Sequence, residues 1–294
     1  VDEGSVLERH GGAFGQGRAV ARRFRRNRLA VASLAVLTVV VLVALAGGAL
    51  WRWDHDERDA AALSSPPSMV HPMGTDGIGR DVLAQVLQGA QRSVQVALVV
   101  AVLSTVVGAL VGAVAGYHRG AIDAVLMRLT DVALVVPGIA VFALLAGSSG
   151  GDWLAVALVI ALFSWMSVAR VVRGVTLSLR EQGYVESARA LGAGPARIIA
   201  THLLPNAAGP VIVSATLAVA VAILAEAGLS YLGLGIQPPD VSLGLLIDIG
   251  QQAARTRPWL FYFPGAVIVV ICLCVNFVGD GLRDAFDPIH DHRT

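Results

Sequence analysis

Of 294 residues, 55% are hydrophobic and 15% charged, against about a quarter charged in ordinary soluble domains, and the formal net charge is +1. That balance excludes a soluble enzyme and marks an integral membrane protein. All 22 basic residues are Arg, and without a Lys for the nucleotide phosphates the chain cannot carry an ordinary P-loop.

Residues 1–28 are polar, with Arg18, Arg22, Arg23, Arg25, Arg26 and Arg28 crowded before the first apolar run. Leu29 to Leu50 follows directly, 22 residues that span about 33 Å as a helix. It is too long for the apolar core of a signal peptide and reads as a retained first span, with the Arg cluster as its cytoplasmic anchor rather than a nucleic-acid arm. Residues 51–92 form the longest extramembrane connection. In it Trp51 and Trp53 suit an interfacial belt, and Ser64-Ser-Pro-Pro-Ser68 is a loop breaker. Gly74, Gly77 and Gly79 lack the spacing and the preceding strand of a phosphate cradle.

A second span is expected over 94–116, where Gly108, Gly112 and Gly116 make one smooth face for close helix approach. A third covers 124–146. There Arg128 and Asp131, three apart, are expected to pair, and Pro137 to kink the helix. A fourth covers 153–169. The fifth, 208–229, carries Glu226 near its outer end. An acidic residue at that depth is a functional candidate, although capping of local backbone amides is the preferred reading. Ser230 to Phe263 has apolar pieces too short to span and reads as a turn-rich loop folded against the outer leaflet. The sixth span covers 264–278, and its Cys272 and Cys274 point to different helix faces, which suits core packing rather than a disulfide or metal site. The expected fold is all-α and polytopic, with six transmembrane helices in a domain over 29–282 and a short tail, 283–294.

Between the fourth and fifth spans lies a polar hairpin, residues 181–205. Gln182 to Leu191 is rich in Ala, Arg, Glu and Leu, which tolerate a helix, Gly192 stands where a helix C-terminal cap would, and Pro195 suits the first turn of a second helix. Ile198, Ile199, His202 and Leu203 share one stripe, and Pro205 is expected to end the segment. With the N-terminus inside, 16 of the 22 arginines fall on the hairpin's side, so the hairpin and both termini are expected in the cytoplasm.

Glu186-Ser187-Ala188, then Gly192, then His202-x-Leu204-Pro205 resembles the EAA signature of ATP-binding-cassette importer permeases. Ser187 replaces an Ala and His202 an Ile of the general pattern. His71, Pro72, Gly74, Thr75, Asp76, Gly79, Arg80 and Asp81 match the HP-x-GTD-x-x-GRD signature of the dipeptide and oligopeptide branch, and Leu232 to Gly244 and Gly279 to Pro288 are similar to two further family stretches. The resemblance, to the C-type membrane subunit of the peptide/nickel branch, runs from about Phe24 to Pro288. It implies a type I importer permease in the plasma membrane, forming half of a translocation pathway. The implied partners are a second homologous permease chain, two ATPase subunits (or one fused) that hold ATP and Mg, and an extracytoplasmic solute-binding protein. It also implies that the hairpin couples to the ATPase through Glu186, Ser187, Ala188, Arg189, Ala190, Leu191, Gly192 and Pro205. Arg128, Asp131, Pro137 and Glu226 are candidates for the pathway or its gate. No catalytic residue, cofactor or metal is expected in this chain. Nickel and haem importers share the architecture, so the solute is peptide first and these second.

Two other classes fit less well. An intramembrane hydrolase needs a nucleophile and a base at membrane depth, and none of the seven histidines falls inside an expected span. A self-sufficient channel or ion-coupled carrier would have little to work with, since the spans hold mainly Arg128, Asp131 and Glu226.

Overall fold

The computed structural model describes residues 13–286; the expectations for residues 1–12 and 287–294 lie outside it. The described residues are helical, with two isolated backbone bridges and no strand. Asn27 divides α1 (Ala13–Arg26) from α2 (Arg28–Leu50), its side-chain oxygen accepting the Ala30 amide at 3.1 Å as an N-cap. Next comes α3 (Val82–His118), 37 residues and about 55 Å long, well over the thickness of a hydrocarbon layer of about 30 Å.

α3 begins well before the expected boundary at 94. Asp81 caps it, accepting the Ala84 amide at 2.7 Å, and the buried Gln85 donates to Asp76 at 3.3 Å. Hydropathy marks where lipid begins, whereas a cap marks where the helix begins. The same distinction lengthens the fourth and sixth expected spans into α6 (Trp153–Leu179) and α12 (Trp259–Phe286).

The third expected span is broken rather than kinked. It is two helices, α4 (Gly120–Val135) and α5 (Gly138–Ser149). Pro137 forces Val136 out of the helical region, to ψ 121°, and offers no N–H of its own, so the ladder stops and restarts. Five helices, α2, α3, α6, α10 (Ala208–Tyr231) and α12, are each long and apolar enough to cross a membrane, and α4 with α5 covers the third expected crossing.

The seam between α3 and α6 organises the bundle. A Cβ on Gly108 would lie 2.6 Å from Val168 Cβ, and one on Gly116 would lie 2.8 Å from Thr176 Cβ. On Gly112 it would collide with the Ala169 carbonyl oxygen and lie 2.9 Å from the Arg173 amide nitrogen. The glycine face is therefore closed by α6, as the four-residue spacing predicts.

At one end of the bundle, residues 51–81 fold into a cap on α3. His71 is buried with its Nδ1 2.8 Å from Asp81 Oδ2 and its Nε2 3.4 Å from Asp59 Oδ2. Asp76 accepts the Ile78 amide at 3.0 Å, the Arg80 amide at 2.9 Å and Arg80 Nε at 2.8 Å. Trp259 Nε1 donates to the Thr75 carbonyl at 3.1 Å, tying the cap to α12. The HP-x-GTD-x-x-GRD residues thus build a hydrogen-bonded cage. Trp51 and Trp53 belong to it: Trp51 Nε1 donates to Asp81 at 3.2 Å, and the Trp53 ring lies 4.9 Å from His71. The segment read as a loop against the outer leaflet contains α11 (Leu243–Gln251) instead, capped by Ser242 and packed on α12, α10 and α3. Leu243, Leu245 and Leu246 give it an apolar face that drives it inward.

Candidate functional site

The hairpin occupies the opposite end. Its first arm is α7 (Gly183–Ala190), an eight-residue helix inside the expected limits. It ends in a Schellman motif: the Ala193 amide donates to the Ala188 carbonyl at 3.0 Å and the Gly192 amide to the Arg189 carbonyl at 2.9 Å. Gly192 holds φ at +83°, where a side chain is strained, and no atom lies within 4 Å of the place a Cβ would take.

The second arm starts at Pro195 as α8 (Pro195–Ile198), continues through a π-helical turn, Ile199–Leu203, and runs into α9 (Leu204–Asn206). Pro205 does not end the segment. The wider turn, with the Leu204 amide reaching back to the Ile199 carbonyl, lets the chain pass a residue that has no N–H, and only Ala207 separates α9 from α10.

Three side chains, Val185, Ile198 and Leu203, are wholly buried and pack with Ile199 against Ala109 and Ala113 of α3 and Val168 and Val172 of α6. At about 1.5–3 kcal/mol for each fully buried aliphatic side chain, these three contribute roughly 5–9 kcal/mol as an upper figure. That burial anchors the hairpin on α3 and α6. His202, expected on the buried stripe, is only half-buried and lies 6.3 Å from the Tyr184 ring. Partial burial pushes the Tyr184 phenol above its ordinary value.

Opposite this anchored face, Glu186, Ser187, Arg189, Ala190, Leu191 and Gly192 are exposed, and Ala188 is half-buried. Leu191 is 88% exposed, an apolar knob at the tip of the turn. Arg189 stacks over the Tyr117 ring at 5.0 Å, Arg119 pairs with Glu181 at 2.8 Å, and Arg180 donates to the Tyr117 carbonyl. The hairpin is therefore fixed to the last turn of α3 by charge as well as by packing.

The expected Arg128–Asp131 pair does not form. Asp131 pairs with Arg170 of α6 at 2.6 Å, and the same face of α4 carries Asp123, which takes a two-pronged contact from Arg173 at 2.5 and 2.6 Å. The extension of α6 past 169 places both arginines beside α4, and spacing within one helix could not reveal partners from another. Nor does Glu226 cap backbone amides. It is fully buried and receives Ser93 Oγ at 3.0 Å and Ser230 Oγ at 2.7 Å. The i, i+4 spacing of Ser230 was legible in the chain; Ser93, on another helix, was not. The structure does not gather Arg128, Asp131, Pro137 and Glu226 into one site. Glu226 lies in the half of the bundle nearest the cap, and the other three on or beside α4.

The profile of the family described as binding-protein-dependent transport system inner membrane component matches residues 108–289, and that of the N-terminal TM domain of oligopeptide transport permease C matches residues 15–67. The chain belongs to the ATP-binding-cassette importer permeases. The oligopeptide transport system permease protein OppC of Mycobacterium tuberculosis (strain ATCC 25618 / H37Rv) is 47% identical over 271 residues, which is 92% of this permease and 93% of that protein. OppC of Escherichia coli (strain K12) is 43% identical over 269 residues, 91% of this permease and 89% of that protein. Among solved structures, the inward-facing methionine transporter MetNI superposes with a TM-score of 0.58 at 19% identity, over 70% of this permease and 97% of that chain, and so shows the shared fold alone. This permease is a multi-pass membrane component of an ATP-binding-cassette importer.

Proposed function

We propose that this permease forms half of the translocation pathway of an ATP-driven oligopeptide importer, and that its hairpin is the part an ATPase subunit grips. The observation that carries this reading is the two-faced hairpin: Val185, Ile198 and Leu203 sunk into α3 and α6, with Glu186, Arg189, Leu191 and Gly192 left outside. An exposed apolar knob beside charges on a rigidly mounted turn is suited to a groove in another protein. The peptide assignment draws on the OppC relatives. The partners are a second homologous permease chain, two ATPase subunits holding ATP and Mg, and an extracytoplasmic solute-binding protein. Both termini and the hairpin are cytoplasmic, in accord with the arginine distribution, and the cap of residues 51–81 faces outward.

Mechanically the chain is a transmission. Closure of the ATPase pair displaces the hairpin, the hairpin carries α3 and α6 with it, and the spans rock between inward- and outward-open states. The bias comes from nucleotide binding one state of the pair better than the other. Reconstitution tests this directly. The purified permease alone hydrolyses no ATP, whereas vesicles holding it with the second permease, the ATPase subunits and the binding protein accumulate labelled oligopeptide when ATP is supplied. ATP turnover by this polypeptide free of any partner contradicts the assignment, as does peptide transport that needs no ATPase.

A further inference from the structure

We propose that Glu226 is a positioning residue of the outward-facing gate, pinning the first turn of α11 to α3 and α10. The carboxylate is fully buried in α10 and each of its oxygens is used: Oε2 accepts from Ser93 on α3 at 3.0 Å, and Oε1 from Ser230 one turn on at 2.7 Å. Ser93 Oγ in turn accepts the Leu243 amide at 3.3 Å, an N–H of the first turn of α11 that has no partner within its own helix. Ser93 is thus a relay between the carboxylate and α11. The Ser242 hydroxyl accepts the Leu245 amide at 3.1 Å.

The backbones around this relay touch. A Cβ on Gly89 of α3 would lie 3.0 Å from the Ser242 carbonyl carbon, and one on Gly244 would lie 2.5 Å from Ala227 Cα of α10. The inner face of α11 is therefore set by close approach of three helices, with a polar contact at the centre and apolar packing around it. A hydrogen-bonded group in such a place has one satisfied geometry and is costly to leave half-made. α11 is nine residues, about 13 Å, too short to span, and is held at both ends by connecting chain. It sits at the capped end of the bundle, packed on α3, α10 and α12, and the Glu226–Ser93 relay holds it seated there.

The proposal rests on the outward placement of the cap. The test uses the assembled complex in vesicles, with Cys272 and Cys274 replaced and Val241→Cys, a buried site just before α11, as the reporter. Glu226→Leu keeps most of the volume but removes both acceptors. Labelling of the reporter by a membrane-impermeant maleimide then rises about tenfold, the effect of one or two lost buried hydrogen bonds on the seated fraction. ATP turnover without solute rises several-fold with it. Glu226→Gln, which keeps one acceptor in its carbonyl oxygen, moves the readouts clearly less than Glu226→Leu. Ser93→Ala, which deletes one oxygen, moves both readouts the same way by less, and serves if Glu226→Leu does not assemble. Native labelling in Ser93→Ala and in assembled Glu226→Leu overturns the proposal. So does Glu226→Gln behaving as badly as Glu226→Leu, since the charge and not the hydrogen-bond relay would then be what matters. Met69→Cys, fully exposed in the cap, labels from outside in every background; failure there removes the outward placement of the cap, a separate result from failure of the pin.

Discussion

Gly192→Trp abolishes peptide uptake and leaves the permease folded and inserted. No atom lies within 4 Å of the position its Cβ would take, so the new side chain leaves the backbone into open space. The residue does hold φ at +83°, which costs a side chain about 1–2 kcal/mol, a strain confined to an exposed turn beyond the buried anchors. What the indole does fill is the space beside Leu191, where the ATPase groove is proposed to lie. Gly192→Asn separates the two effects: Asn tolerates the left-handed region, adds little bulk, and retains most uptake. Glu186→Arg acts in the same direction as Gly192→Trp by reversing a charge on the same exposed face. Uptake of a labelled peptide in cells lacking the native permease, with pull-down of the ATPase subunits, reads the outcome. Normal uptake and normal co-purification in Gly192→Trp contradict a docking role for the hairpin.

The second large effect is on folding. Gly112→Val removes most of the folded permease, because even a methyl there meets the Ala169 carbonyl oxygen, and backbone cannot step aside as a side-chain tip can. Overpacking costs about 1–3 kcal/mol where neighbours can shift and more where they are backbone. The consequences spread, because the α3–α6 seam carries both the buried core near the cap and the one under the hairpin. Gly174→Ala on the same helix pair is the control. Nothing lies within 4 Å of its Cβ position, so it is neutral or stabilises α6 slightly through helix propensity. Yield and thermal unfolding of the purified protein in detergent distinguish the two. A Gly112→Val protein as stable as Gly174→Ala contradicts the close seam.

The contrast between these sites shows what the chain made legible. Gly108, Gly112 and Gly116 announced a smooth face through spacing along one helix, and Gly192 announced a left-handed cap through local turn chemistry; both signals are local, and α6 and the Schellman bonds answer them. Expectations failed where the deciding partner sits far along the chain. Asp131 chose Arg170 over Arg128, and Glu226 chose Ser93, 133 residues away, over nearby amides. Pro205 misled for another reason: a π turn, Ile199–Leu203, absorbs the missing N–H, and no propensity scale signals that option. The HP-x-GTD-x-x-GRD stretch was recognisable as a signature, but its work, a cage of buried hydrogen bonds around His71, Asp76 and Asp81, needed coordinates.

Cross-linking through Leu191 tests the docking account most directly. In a permease with Cys272 and Cys274 replaced, Leu191→Cys, at the exposed tip of the hairpin, is paired with single cysteines placed along the groove of the partner ATPase subunit in the assembled, transport-active complex. Oxidation is predicted to join the two chains in high yield, to halt peptide uptake, and to be reversed by reductant. A fully active complex in which the same cysteine stays open to maleimide and joins no position on the ATPase contradicts it.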